Sequence, residues 1–153
     1  MGCRKAGSDD PETLGKRFNA ACALSAQGKY AQAEAEFRAV FELQEHVMGS
    51  EHPSTLATRH NLALAFQAQG KHALAEKENR AVLASRERSL GAEHSDVLIS
   101  CYNLGLCLKA QGKKPEALAL ARRAWAGLQK KLGEAHPHTK AAKSLIDDLE
   151  KTP

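Results

Sequence analysis

Residues 68–78 read AQGKHALAEKE, and the string returns with substitutions as AQGKYAQAEAE at 26–36 and AQGKKPEALAL at 110–120. The step is 42 residues, and other marks keep it: Gly28, Gly70 and Gly112; Asn19, Asn61 and Asn103; Gly49, Gly91 and Gly133; His52, His94 and His136. Self-similarity at a fixed period of about 20–50 residues marks an array of stacked units. Each unit of such an array leaves an apolar face that only its neighbour covers. An array offers a long groove more naturally than a closed catalytic pocket, so the period points to binding.

The stretch 52–93 shows the logic of one unit. Leu56, Leu62, Ala63, Ala65 and Phe66 follow the spacing of an amphipathic helix over 53–69. Pro53 suits a first helical turn, and Gly70 supplies the left-handed residue that ends a helix. A second helix over 72–90 carries Ala73, Leu74, Ala75, Val82, Leu83 and Leu90 as its apolar members, and Gly91 closes it. The period then predicts first helices at 11–27, 53–69 and 95–111, second helices at 30–48, 72–90 and 114–132, and a last helix at 137–150. Equivalent positions keep volume: Phe18, His60 and Tyr102; Leu24, Phe66 and Leu108; Ala33, Ala75 and Ala117; Phe41, Leu83 and Trp125. Pro115 falls where a first-turn proline is tolerated. Asn79 stands where the other copies have Phe37 and Ala121, which predicts looser packing there. Leu145 replaces the recurring Asn in the last helix, as expected of a cap over an exposed end. The expected organisation is a disordered 1–9, units at 10–51, 52–93 and 94–135, and a capping helix at 136–150.

Composition sets bounds on function. A chain of 153 residues with 42% hydrophobic and 26% charged residues reads as one soluble globular domain. The net charge is +4, from 22 basic and 18 acidic residues. Lysine and arginine pairs at 113–114, 122–123 and 130–131 crowd the last unit, which suits either an acidic partner or a solvated helix face. No apolar run reaches the ~18 residues of a membrane span. The opening MGCRKAGSDD lacks the apolar centre of a secretion signal, and Ala6 stands where myristoylation wants Ser or Thr. The four cysteines form no CxxC; Cys22 and Cys107 read as small core or groove-wall residues in a reducing, cytoplasmic setting.

The residues HPSTLATRHNLALAFQAQGKHALAEKENRAVL at 52–83, with Leu90 and Gly91 leading onward, resemble the tetratricopeptide repeat (TPR) family. The likeness is to its 42-residue form, seen in kinesin light chains and many bacterial relatives, and it covers residues 10–148. The ordinary signature falls on Leu62, Ala63, Phe66, Gly70, Ala75 and Val82. The resemblance implies an all-α, right-handed superhelical solenoid of three helix-turn-helix units plus a C-terminal capping helix. It also implies a non-enzymatic protein-interaction module with a concave ligand groove.

Asn19, Asn61 and Asn103 are the sharpest functional signal. Asn gains nothing mid-helix unless its amide has a partner, and one acceptor with two donors matches an extended peptide backbone. The alternative is that each amide bonds a neighbouring helix. By the family's register the same face carries Phe18, Cys22 and Ser25, then His60, Leu64 and Gln67, then Tyr102, Leu106 and Lys109. The expected ligand-binding set is Asn19, Asn61, Asn103, His60, Leu64, Tyr102, Leu106 and Lys109. Lys109, with Arg59 and Arg86, could meet acidic ligand groups.

Other chemistries lack residues. His52, His94 and His136 recur too far apart to share a metal, and read as helix-opening residues packing against the preceding turn. His136 and His138 have no cysteine or carboxylate pair beside them. Glu34, Glu36, Glu76 and Glu78 read as a solvated face. There is no Gly-rich phosphate loop, HExxH or nucleophile elbow, so neither a catalytic residue nor a metal or cofactor is expected. RNA binding would need stacking aromatics and a denser basic track. The expected partner is a protein or peptide, acidic in one version, with no nucleic acid or membrane. The competing reading is self-association through end faces or the Leu-rich last helix.

Overall fold

The computed structural model describes residues 10–153; the expected disorder of 1–9 falls outside them. Seven helices follow in order: α1 (Pro11–Ala26), α2 (Tyr30–Met48), α3 (Pro53–Ala68), α4 (His72–Leu90), α5 (Ser95–Ala110), α6 (Lys114–Leu132) and α7 (Pro137–Lys151). Among the described residues there is no strand. Two compact units share the chain, Met1–Lys71 and His72–Pro153.

The recurring residues set the helix ends. Asp10 Oδ1 accepts from the backbone N–H groups of Glu12 and Thr13 at 3.0 and 3.1 Å, and Pro11 opens α1. The tight turn inside each hairpin rests on a glycine at φ +76°, +75° and +73° (Gly28, Gly70, Gly112), a region that other residues rarely enter. Beyond it the N–H of Lys29, Lys71 and Lys113 returns to the carbonyls of Leu24, Phe66 and Leu108. Those bonds satisfy carbonyls a helix end would otherwise leave open.

In the first unit α2 packs on both α1 and α3. Leu14 and Ala21 of α1 are buried in this unit, as are Ala33, Phe37 and Val40 of α2 and Leu56, Leu62 and Phe66 of α3. In the second unit α5 packs on α4 and α6, and α7 closes on α6. Leu104, Leu108, Ala117 and Ala121 form one cluster with Leu145, Ile146 and Leu149 of α7. Leu98, Cys101, Ala124 and Leu128 form a second with Ala142. The cap is thus built from α7's own leucines, which are turned inward at 2 and 3% exposure, leaving them unavailable to a second copy.

Asn79 on α4 is 2% exposed, and its Nδ2 has no hydrogen-bond partner among the described residues. A buried amide without a partner keeps its desolvation cost of about 1–3 kcal/mol. Asn79→Leu, close in volume, is therefore expected to raise stability by about 1 kcal/mol. Urea unfolding should show a higher midpoint at unchanged slope; a lower midpoint would mean the amide is satisfied.

Candidate functional site

In the first unit a pocket of about 160 Å³ opens where α1, α2 and α3 meet, lined by Gly15, Phe18, Gln44, Met48 and Ala57 among others. Gly15 adds open space to its wall: a Cβ built there would meet nothing within 4 Å. Its wall is rigid. Phe18 lies against Phe37 at 5.9 Å between ring centroids, and Gln44 Oε1 accepts from Thr58 Oγ1 at 2.6 Å.

One helical turn on from Gly15 and Ala57 stand Asn19 and Asn61, on the same helix faces. Asn19 is exposed. Asn61 is half-buried, and its Nδ2 donates to the Ala57 carbonyl at 2.9 Å. That back-bond takes one N–H and leaves Oδ1 and the other N–H for a ligand. His60 is half-buried beside it, and Leu64 is 40% exposed.

In the second unit Ile99 stands at the position of Gly15 and Ala57 and packs against the Leu98 cluster. Asn103, the next turn on, is half-buried. Tyr102 packs against both core clusters and Leu106 against one, so these rings and chains serve the core as well as the surface. Lys109 is exposed but pairs with Asp148 of α7 at 3.1 Å. The other two basic candidates are engaged as well. The Arg59 guanidinium lies 5.3 Å over the Phe41 ring, and Arg86 donates to Ser100 Oγ at 2.8 Å.

Two sets of residues have roles the period alone did not disclose. His52, His94 and His136 each accept a backbone N–H at Nδ1, from Ser54, Asp96 and His138 at 3.1, 3.1 and 3.2 Å. They cap α3, α5 and α7 by hydrogen bonding, and the backbone N–H of each also donates to the glycine carbonyl of the preceding turn.

The glutamates correct the expectation of a solvated face. Glu76 on α4 is 13% exposed, and its carboxylate receives Lys113 Nζ at 2.8 Å, Gln111 Nε2 at 2.7 Å and Arg80 at 2.8 Å. Lys113 leads the causes that outweigh burial and hold this carboxyl down at about 2. Glu34 repeats the arrangement in the first unit with Lys71, Gln69 and Arg38. Burial pushes the Glu34 carboxyl up, but those hydrogen bonds prevail and leave it below its ordinary 4.5. Position 118, next in the series, is Leu, half-buried against the cluster of α5, α6 and α7. Charge clamps thus give way to apolar packing where α7 closes the stack.

The family model for the tetratricopeptide repeat matches residues 12–87 and 60–130, most of the chain. The chain is a tetratricopeptide repeat protein. Among solved structures, the TPR chain is similar to a Podosopora anserina protein described as a kinesin light chain with nearly identical TPR-like repeats. The match has a TM-score of 0.80 at 30% identity and covers 96% of this chain and 70% of that one. BtubC (BKLC) from P. vanneervenii matches at a TM-score of 0.76 and 17% identity, over 96% of this chain and 66% of that. The Yersinia enterocolitica type III secretion translocator chaperone SycD matches at 0.72 and 17%, over 92% and 86%. The last two share the fold of this chain. No curated protein matches the sequence. The TPR scaffold, an all-α repeat solenoid, is one of protein–protein interaction.

Proposed function

We propose that this chain is a non-enzymatic adaptor that holds an extended peptide of a partner protein against its first-helix faces. The observation that carries the reading is the unfilled pocket of about 160 Å³ in the first unit, one turn from Asn19 and Asn61. An apolar pocket beside free amide groups suits a peptide: the pocket takes one side chain while Asn19 and Asn61 hold the main chain. Leu64 and His60 extend that surface. In the second unit Asn103 plays the main-chain role, with Tyr102 and Leu106 as apolar contacts. Lys109 meets an acidic ligand group by exchanging Asp148 for it. The partner is a protein and not a nucleic acid, because base stacking needs open rings and Phe37 and Phe66 are buried. Among the described residues no helix is long and apolar enough to cross a membrane. Cys101 and Cys107 serve as small buried core residues, which suits a reducing, cytoplasmic setting.

Two variants test the reading by capture of partner from native lysate. Asn61→Ala with Asn103→Ala is expected to weaken capture ten-fold or more, about 1.4 kcal/mol or above, while melting no lower, since Ala is the better helix former. Gly15→Leu fills the pocket from within and is expected to weaken capture while stabilising α1 by about 1 kcal/mol. A clear loss of stability with capture intact would show that the amides tie helices together, and the adaptor reading would fail.

A further inference from the structure

A second cleft, of about 480 Å³, lies in the second unit on α6, α7 and the loop between them, lined by Trp125, Glu134, Thr139, Lys140, Lys143 and Ser144. Its meaning comes from the 42-residue period. One step back from Trp125, Lys140, Lys143 and Ser144 stand Leu83, Leu98, Cys101 and Tyr102. There Leu98 and Cys101 are 1 and 0% exposed under Ala124 and Leu128 of α6, and Leu83 and Tyr102 pack against the same cluster. The cleft is therefore the seat a further second helix would take. Its floor differs at Lys140, where the period has Leu56 and Leu98, while Lys143 lies over Trp125 as Arg59 lies over Phe41. An apolar helix laid over this floor would bury the charge of Lys140 uncompensated, which is costly. A segment carrying carboxylates would pair with that lysine instead.

The apolar part of the seat survives as the half-buried Trp125 ring, with Lys143 Nζ 5.4 Å from its centre. Lys143 also pairs with Asp147 at 3.0 Å, whereas exposed Lys140 has no partner among the described residues. Glu134, the one acid in the lining, is held by Gln129 at 2.7 Å. Thr139 is 1% exposed with an unpartnered Oγ1 in the wall; its equivalent Thr55 shares that trait, so Lys140 and the indole carry the case.

We infer that this end cleft is a second docking site, for an acidic peptide segment that sets an apolar side chain on Trp125 and a carboxylate on Lys140. It uses none of the first-helix residues and stands apart from the adaptor reading.

Trp125 is the chain's one tryptophan, so its fluorescence reports this site directly. Titrating the full chain with the peptide acetyl-Glu-Leu-Glu-Glu-Leu-amide is expected to give a saturable change in emission. Affinity should fall at least ten-fold in Lys140→Glu at unchanged melting temperature, and should weaken between 0.05 and ~0.5 M salt. It should be unmoved by Asn61→Ala with Asn103→Ala, which separates failure here from failure of the adaptor reading. The inference is overturned by no change up to millimolar peptide, by a change that survives Lys140→Glu, or by an equal response to the lysine-containing counterpart. An equal response to inorganic phosphate would reduce the site to a plain anion site. A response to the protein's own concentration would assign the seat to a second copy.

Discussion

Cutting the chain after Gly133, so that α7 is lost, is expected to give a protein that aggregates on expression or unfolds well below the intact one. Leu145, Ile146 and Leu149 are each under 5% exposed, and each buried aliphatic side chain contributes roughly 1.5–3 kcal/mol. Losing three approaches the whole stability of an ordinary domain, about 5–15 kcal/mol. It also bares Leu104, Leu108, Ala117 and Ala121, which form one apolar cluster with them. The milder change Leu145→Ala should cost about 2–5 kcal/mol. Sedimentation and thermal unfolding decide the matter: a monomeric truncation with an unchanged melting temperature would show that α7 is no cap.

Glu76→Gln is the second large effect, and pH gives it a signature. The folded carboxyl sits at about 2 against an ordinary 4.5, so its contribution is present above pH 4.5 and is lost as pH falls toward 2. A shift of that size corresponds to roughly 3 kcal/mol at neutral pH, reduced toward about 2 because Lys113 and Arg80 remain half-exposed to screening solvent. Urea unfolding of the variant should therefore show a deficit of about 2 kcal/mol at pH 7 that shrinks to about 1 kcal/mol at pH 3 and closes only as pH falls to about 2. A deficit that stays constant across that range would mean the loss is one of packing, not charge.

The helices were legible in the sequence almost to the residue, and the reason is chemical. Their ends are set by residues with few alternatives: glycine in a left-handed turn, proline in a first turn. α3 was expected over 53–69 and runs Pro53–Ala68. The cap was legible for a related reason, since Leu145 takes the place of a recurring amide and so has to face something apolar. The glutamate clamps were not. A glutamate on a helix reads as solvated unless its partners are known, and those partners come from 35 and 37 residues onward. The clue was present in Gln69, Lys71, Gln111 and Lys113, which recur with Glu34 and Glu76. The histidines were half-read: the period marked helix starts, but ordinary capping is done by oxygen, not by an imidazole nitrogen. For the binding face the sequence supplied spacing but not competition. It could not show that Asn61 already donates to Ala57, that Lys109 is held by Asp148, or that Gly15 borders a pocket.

The clamps also bear on how this protein comes apart. Each ties a second helix to the turn beyond the helix that follows, which is a nearest-neighbour coupling of the kind that makes a linear array unfold in one step. Here that coupling has an ionic part at Glu34 and Glu76, whereas the corresponding position under α7 is the apolar Leu118. Salt and cold therefore act on different joints. Added salt screens Glu34 and Glu76 from their lysines and broadens the transition, so that hairpins open one at a time. Cooling weakens apolar contact instead and loosens the stack from its C-terminal end. The order in which hydrogen exchange reaches the helices would thus reverse with solvent conditions, although the native fold stays the same.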